Sequence, residues 1–427
     1  MTSQTSLNTA RNRALALDQA DPLAAYRSQF HIPQTTNGNK VLYFCGHSLG
    51  LQPKNTAALV QQELQHWQQN AVEGHFTGAR PWLSYHEQLT QGLAELCGAL
   101  PIEVTAMNSL TVNLHLLLIS FYKPTAKRHK ILIEANAFSS DRYAVSSQLT
   151  LHGYDPETSL IELNPRLGED VLRTEDILSL IEREGHAISA LVLPGVQYLT
   201  GQYLDIPRIT QAAHQQGCVI GFDLAHAIGN VPLQLHEWNV DFAVWCGYKY
   251  LNSGPGAIGG MFVHERHAQR PELPRLAGWW GHDKQTRFTM PHDFSPLLGA
   301  EGWQLSNPPI LACAPLISSL EIFYSARLSK LRAKSVQLTE FLYGLLTAHC
   351  PKVSVITPSD PSQRGCQLSL RLAMSPSKAK RIYEDLALQG IMCDWREPDI
   401  IRVAPTPLYN TYFEVFTFVA TLQSMLK

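Results

Sequence analysis

Charge is what this sequence has least of. Only 16% of its 427 residues are Asp, Glu, Lys or Arg, against about 25% in an average soluble domain. Neither sign dominates, since 34 basic residues against 36 acidic ones leave a formal charge of −2. A chain that neutralises many phosphates carries a basic excess, so nucleic-acid binding is disfavoured. Disorder needs low hydrophobicity together with high net charge, and a hydrophobic content of 45% excludes it. Long hydrophobic runs are missing as well. The most apolar stretch, 114–122 (LHLLLISFY), contains a His and a Ser. It is far short of the roughly 20 residues that span a bilayer, so no membrane partner is expected. The segment 1–21 lacks the apolar core and small-residue cleavage site of a secretory signal. Eight cysteines are scattered without one CxxC pair, so no metal site is expected. The expected compartment is the cytoplasm, and the expected class is a large, nearly neutral enzyme.

The length allows two or three domains at roughly 150 residues each. Five short runs rich in β-branched residues punctuate the middle of the chain: 130–134 (KILIE), 188–196 (ISALVLPGV), 218–224 (CVIGFDL), 240–246 (VDFAVWC) and 257–263 (AIGGMFV). They read as strands buried on both faces of a largely parallel sheet. Between them, 206–217 (IPRITQAAHQQG) has Pro at its first turn and Gly just past its end, which predicts a helix. Strands alternating with helices argue for an α/β layered domain. Beyond Asn307-Pro308-Pro309 the texture changes. A helical stretch with one apolar face is expected from Ile310 to about Cys350, followed by strands near 353–356, 367–372 and 400–403 and a helix near 378–389. The expected division is 1–41, an N-terminal segment packing with the small domain; 42–310, the large domain; and 311–427, a smaller α+β domain.

Ligands of open α/β sheets bind outside the carboxyl ends of the strands, so the residues that end each run matter most. One run ends in Asp223, followed by Leu-Ala-His226. An Asp there also suits a helix cap. The next ends near Lys249, set among aromatic and small residues before a glycine-rich turn. A desolvated lysine suits a Schiff-base nucleophile, although its stem could instead lie on the aromatics with the ammonium in water. Together the two residues suit pyridoxal phosphate. The Asp keeps the pyridine nitrogen protonated, and the Lys carries the aldehyde as an imine. Asn108-Ser-Leu110-Thr111-Val-Asn113 opens a helix whose free N–H groups offer a phosphate site, or an ordinary cap. Phe138, just past KILIE, is available to stack on the ring.

The segments FCGHSLGLQPK, NSLTVNLH, EANAFSSD, GVQYLTGQYLDIP, GFDLAHAIGNV, WCGYKYLNSGPG, GWWGH, LSNPPI and RVAPTPLYN occur in this order from about residue 42 to 412. In them the chain closely resembles kynureninase, a pyridoxal-phosphate hydrolase of the aminotransferase-like superfamily (fold type I). The resemblance implies that fold and a homodimer with shared active sites. The implied activity is hydrolysis of L-kynurenine or 3-hydroxykynurenine to anthranilate or 3-hydroxyanthranilate and L-alanine. It implies that Lys249 is the Schiff-base lysine, that Asp223 pairs with the pyridinium nitrogen and that Phe138 stacks on the ring. By the same resemblance Asp141 and His226 lie beside the cofactor, and Leu110 and Thr111 bind the phosphate with Tyr248, which also serves as an acid. Trp279 and Asn307 approach cofactor and substrate from the neighbouring subunit. Arg402 holds the substrate α-carboxylate, while Ser48 and His75 line the aromatic end of the pocket.

Bland roles compete with these. Arg402 suits an ion pair, Trp279 a core or interface aromatic, Asn307 a turn before two prolines, and His75 a solvated loop histidine. Three positions depart from the family pattern: Pro194 replaces a Ser or Thr, Trp280 a Phe, and His47 an Asn. The competing activities are a cysteine-desulfurase-like lyase, for which Cys366 and Cys393 lie in the right half of the chain, and a class V aminotransferase. A non-catalytic cofactor-binding protein would be expected to have a damaged lysine or carboxylate, and both are intact.

Overall fold

All five apolar runs become strands of one seven-stranded sheet in the computed structural model, which describes residues 3–268, 270 and 272–426. In chain order the strands are β1 (Leu42–Tyr43), β2 (Val104–Ala106), β3 (Lys130–Glu134), β4 (Leu160–Leu163), β5 (Ile188–Pro194), β6 (Val219–Asp223), β7 (Phe242–Trp245) and β8 (Gly260–Val263). Beyond them lie β9 (Val353–Val355), β10 (Leu368–Leu372), β11 (Ile391–Met392), β12 (Asp394–Arg396) and β13 (Ile400–Val403). The large sheet runs β2-β8-β7-β6-β5-β3-β4. Its five-strand part from β4 to β7 is parallel, whereas β8 is antiparallel to both of its neighbours. A parallel return needs a long crossover. The helix Ile206–Gln215 provides one between β5 and β6, but no helix lies between β7 and β8, and the chain turns straight back. Strands β2 and β4 are additions to the expected set. Each is at most four residues, too short for a period to stand out.

Apolar side chains cover both faces. On one, Leu114, Leu117 and Val145 pack on Ile131, Ile133, Val192 and Val244. On the other, Ile177, Ile209 and Phe323 join Leu132, Leu191 and Phe222. The helix Ile206–Gln215 forms as the sequence predicts. The Asp205 side chain accepts from the backbone N–H of Arg208, and Gly217 follows at φ +70°. A second core gathers around the antiparallel sheet β12-β13-β10-β9 and the helices Pro376–Leu388 and Tyr412–Met425. The N-terminal helix Ser3–Gln19 joins this core through Ala10 and Ala14. Its Asp18 carboxylate accepts from the N–H groups of Tyr412 and Phe413, placing negative charge at a helix N-terminus.

The stretch after 310 is not one helix. It breaks into Ile310–Ala326 and Leu328–His349, bent by 81°, at Arg327, whose φ is +65°. Leu316, Leu320 and Phe323 belong to the first core and Leu338, Leu342 and Leu345 to the second, and one straight rod cannot reach both. Among the described residues no single helix is long and apolar enough to cross a membrane.

Candidate active site

The crevice lies at the carboxyl ends of β3, β5 and β6, where Glu134, Pro194 and Asp223 terminate their strands. Leu110, Thr111, Phe138, Asp141, His226, Tyr248 and Lys249 line it as well, around a cavity of about 70 Å³. A wider groove beside the N-terminal helix, about 460 Å³, has Arg13 and Glu340 on its exposed rim and no comparable set of buried ionisable groups.

The innermost end is acidic. Asp223 is buried and uses one oxygen to accept the N–H of Ala225 at 2.7 Å. No helix follows, so this bond closes a turn and is not the helix cap that the sequence also suited. Asp141 comes in from the first turn of the helix Ser139–Leu151 and hydrogen-bonds to Asp223. Burial, and then the charge of Asp223, pushes its carboxyl well above the ordinary range. Glu134 is raised by burial to about 7, against the lowering effect of a hydrogen bond from Gln197.

Lys249 stands over this floor in the loop after β7. Its Nζ is 3.0 Å from His226 Nε2 and 5.7 Å from the centroid of the Phe138 ring. Burial, then the charges of Lys249 and Arg402, holds the His226 imidazole well below its ordinary value, so it is neutral. Backbone crowding fixes the lysine loop. The N–H of Gly50 donates to the Tyr248 carbonyl at 2.8 Å, and a Cβ on Gly50 would lie 2.3 Å from the Lys249 carbonyl oxygen. Any side chain there would push the loop away. Burial, then Cys246, raises the Tyr248 hydroxyl, which stays protonated and able to donate. At the opposite end the helix Leu110–Phe121 begins with no side-chain cap on Ser109, so its first N–H groups are available. The hydroxyls of Thr111 and Ser140 meet there at 2.7 Å.

These features fit pyridoxal phosphate. An uncapped helix start with two hydroxyls suits the phosphate, and an aromatic face stands beside the lysine. Asp141 Oδ1 has no partner among the described residues, and a cationic ring nitrogen would supply the charge that this buried acidic end lacks.

A second cluster borders the crevice. Arg402 on β13 is only 1% exposed. Its Nη1 donates to the Tyr198 carbonyl at 2.7 Å and its Nε to Asp394 at 2.8 Å. The Ser48 hydroxyl donates to Asp394 at 2.9 Å. Tyr198 packs edge-on against Phe138 at 5.3 Å and so joins the two clusters. Three sequence-predicted residues stay outside the crevice of this chain. Trp279 is 38% exposed against Phe288, Asn307 is exposed, and His75 packs on Trp82. Phe76 and Phe288, 6.3 Å apart, place His75 and Trp279 on one patch.

Sequence reasoning passed over Glu134, Ser140, Tyr198 and Asp394. The first three sit inside segments already singled out, where a strand-terminal Glu and a Ser two residues past Phe138 were readable signals. Asp394 carries no local signal, because only the β12–β13 register sets it opposite Arg402.

Residues 331–422 match the family model described as the kynureninase C-terminal domain. A relative from Koribacter versatilis (strain Ellin345) named kynureninase is 54% identical over 415 residues, covering 97% of each chain. The chain belongs to the kynureninase family. Another kynureninase, from Myxococcus xanthus (strain DK1622), is 54% identical over 425 residues and 99% of each chain. Among solved structures, the cysteine desulfurase CsdA of Escherichia coli covers 95% of this chain and 98% of its own at TM-score 0.75 and 18% identity. A C-DES mutant with glycine covalently linked to its PLP cofactor covers 93% and 98% at TM-score 0.76 and 18% identity. At that identity the likeness establishes the fold: the aminotransferase-like α/β architecture expected from the sequence. Within the kynureninase pattern, the three departures take different places. Pro194 lines the crevice opposite Asp223 in the sheet register and brings no hydroxyl. Trp280 is buried beneath the Arg287 guanidinium. His47 is buried with its ring 6.3 Å from His226.

Proposed function

We infer that this chain is a pyridoxal-phosphate-dependent hydrolase. It cleaves the Cβ–Cγ bond of L-kynurenine or 3-hydroxy-L-kynurenine to give anthranilate or 3-hydroxyanthranilate and L-alanine. The observation that carries this reading is the convergence of Lys249, the Asp223–Asp141 pair and an uncapped helix start on one crevice, with a buried arginine at its border. The bound cofactor supplies an electron sink for charge released at the substrate's α-carbon. Asp223 would hold the protonated ring nitrogen of the cofactor, with Asp141 beside it. The Lys249 amine, once free, takes and returns the proton at Cα, and neutral His226 orients it from 3.0 Å. Arg402 grips the α-carboxylate with a planar fork. In the overall reaction water's hydroxyl goes to the acyl carbon and a proton goes to Cβ, and Tyr248, still protonated, is the donor for that last step.

The desulfurase-like alternative needs an accessible, reactive thiol. Cys366 is fully buried with its thiol pushed up to about 11 by burial, and Cys393 is buried and raised as well. Trp279, Asn307 and His75 complete the site in this reading from a second copy of the chain, in a cytoplasmic homodimer. Purified protein supplied with pyridoxal phosphate and L-kynurenine should release anthranilate and alanine in equal amounts. Inertness toward both kynurenine and 3-hydroxykynurenine would overturn the assignment.

A further inference from the structure

Two arginines and one aspartate meet where a single substrate carboxylate is expected, and the aspartate has no role in the reading above. Arg402 has five N–H bonds to place. Nε donates to Asp394 Oδ1 at 2.8 Å, and Nη2 stands 2.7 Å from the same oxygen. Nη1 donates to the Tyr198 carbonyl at 2.7 Å, and Nη2 reaches Ser48 Oγ at only 3.3 Å. The edge of the guanidinium bearing Nε is thus engaged within the protein. Between them Nη1 and Nη2 keep one N–H without a partner in these contacts and one long, weak bond, to Ser48. Asp394 also accepts from Arg396, at 3.0 Å from Nε and 3.4 Å from Nη2. Its place is set by the backbone, since β12 and β13 pair with Asp394 directly across from Arg402. Two cations and one anion leave this cluster with one net positive charge.

We propose that Asp394 is a positioning residue for the substrate. It pins Arg402 by the Nε edge and cancels Arg396, so the site offers one unpartnered N–H, one weakly held one and one unit of charge, matched to an amino acid with a single carboxylate. This rests on Arg402 being the carboxylate-binding residue. Without Asp394 the guanidinium loses its fixed orientation and the cluster gains a second positive charge. Monocarboxylates then bind less well, and dicarboxylates find a new partner in Arg396.

The test compares holoenzyme of the wild type, Asp394→Asn and Arg402→Met. It measures kcat and KM for L-kynurenine and competitive inhibition by L-alanine and L-aspartate. For Asp394→Asn, KM should rise about tenfold with kcat within about twofold, and the inhibition ratio should shift about tenfold toward aspartate. That ratio does not depend on how much of the variant folds. An unchanged ratio, with kcat and KM altered only as partial unfolding would alter them, overturns the role of Asp394. Arg402→Met should weaken inhibition by both amino acids. If it leaves alanine inhibition unchanged, the assignment of Arg402 fails, and this inference fails with it. A weakened Arg402→Met beside an unshifted Asp394→Asn sinks the positioning role alone.

Discussion

Glu134 shows how one buried carboxyl couples the crevice to stability. In the folded chain it holds its proton up to about pH 7, against an ordinary value of 4.5. Between those two values the unfolded chain has lost the proton and the folded chain has kept it. Folding therefore takes up a proton across this window, and stability falls as pH rises through it. The shift corresponds to roughly 3 kcal/mol over the whole window. Glu134→Gln keeps an oxygen for Gln197 and removes the titration. Protein freed of cofactor should therefore show the variant gaining on the wild type in thermal midpoint between about pH 5 and about pH 8. A gap that does not change with pH would contradict this. Asp223 was legible as a strand-terminal acid. That its carboxyl would meet that of Asp141 could not be read from spacing, because residues 82 positions apart (223 − 141) meet only through the parallel pairing of β3, β5 and β6.

At the scale of elements, the bend at Arg327 is the clearest departure from the pattern. Apolar residues recur at three and four positions through 317–342, which marks a helix face but says nothing about which core the face meets. The break costs a left-handed backbone at a residue with a side chain, roughly 1–2 kcal/mol. Arg327→Gly should be neutral or raise the unfolding free energy by about 0.5–1 kcal/mol. Arg327→Pro cannot reach φ +65° and also removes the N–H that donates to Phe323, so it should cost about 3 kcal/mol or more. Chemical denaturation of the three proteins checks the ordering, and a stable proline variant would refute it. The strands show the same division. Long β-branched runs identified themselves, whereas β2 and β4 depend on neighbours that a linear reading does not supply.

At the scale of the whole molecule, the proposed site draws on two chains. If Trp279 and Asn307 act in the partner's crevice, variants inactivated in different halves should complement. Lys249→Ala and Asn307→Ala are each expected to lose most activity alone. Mixed and reassembled, half of the dimers should pair one of each and hold one intact site, restoring roughly a quarter of wild-type activity. Mixtures no more active than the parents would mean that each site is built within one chain.

What the sequence determined by itself was local chemistry in a fixed order. The apolar runs, the acid and the lysine that follow them, and the motifs from FCGHSLGLQPK to RVAPTPLYN were enough to predict the α/β architecture and a kynureninase-like site. These survive a linear reading because each rests on residues within one turn or one strand of each other. Tertiary structure alone decided the antiparallel return of β8, the bend at Arg327, the meeting of Asp141 with Asp223, and the grip of Asp394 on Arg402. Each is a contact or constraint between distant segments, fixed by sheet register and by which core a side chain joins, and spacing along the chain does not encode either.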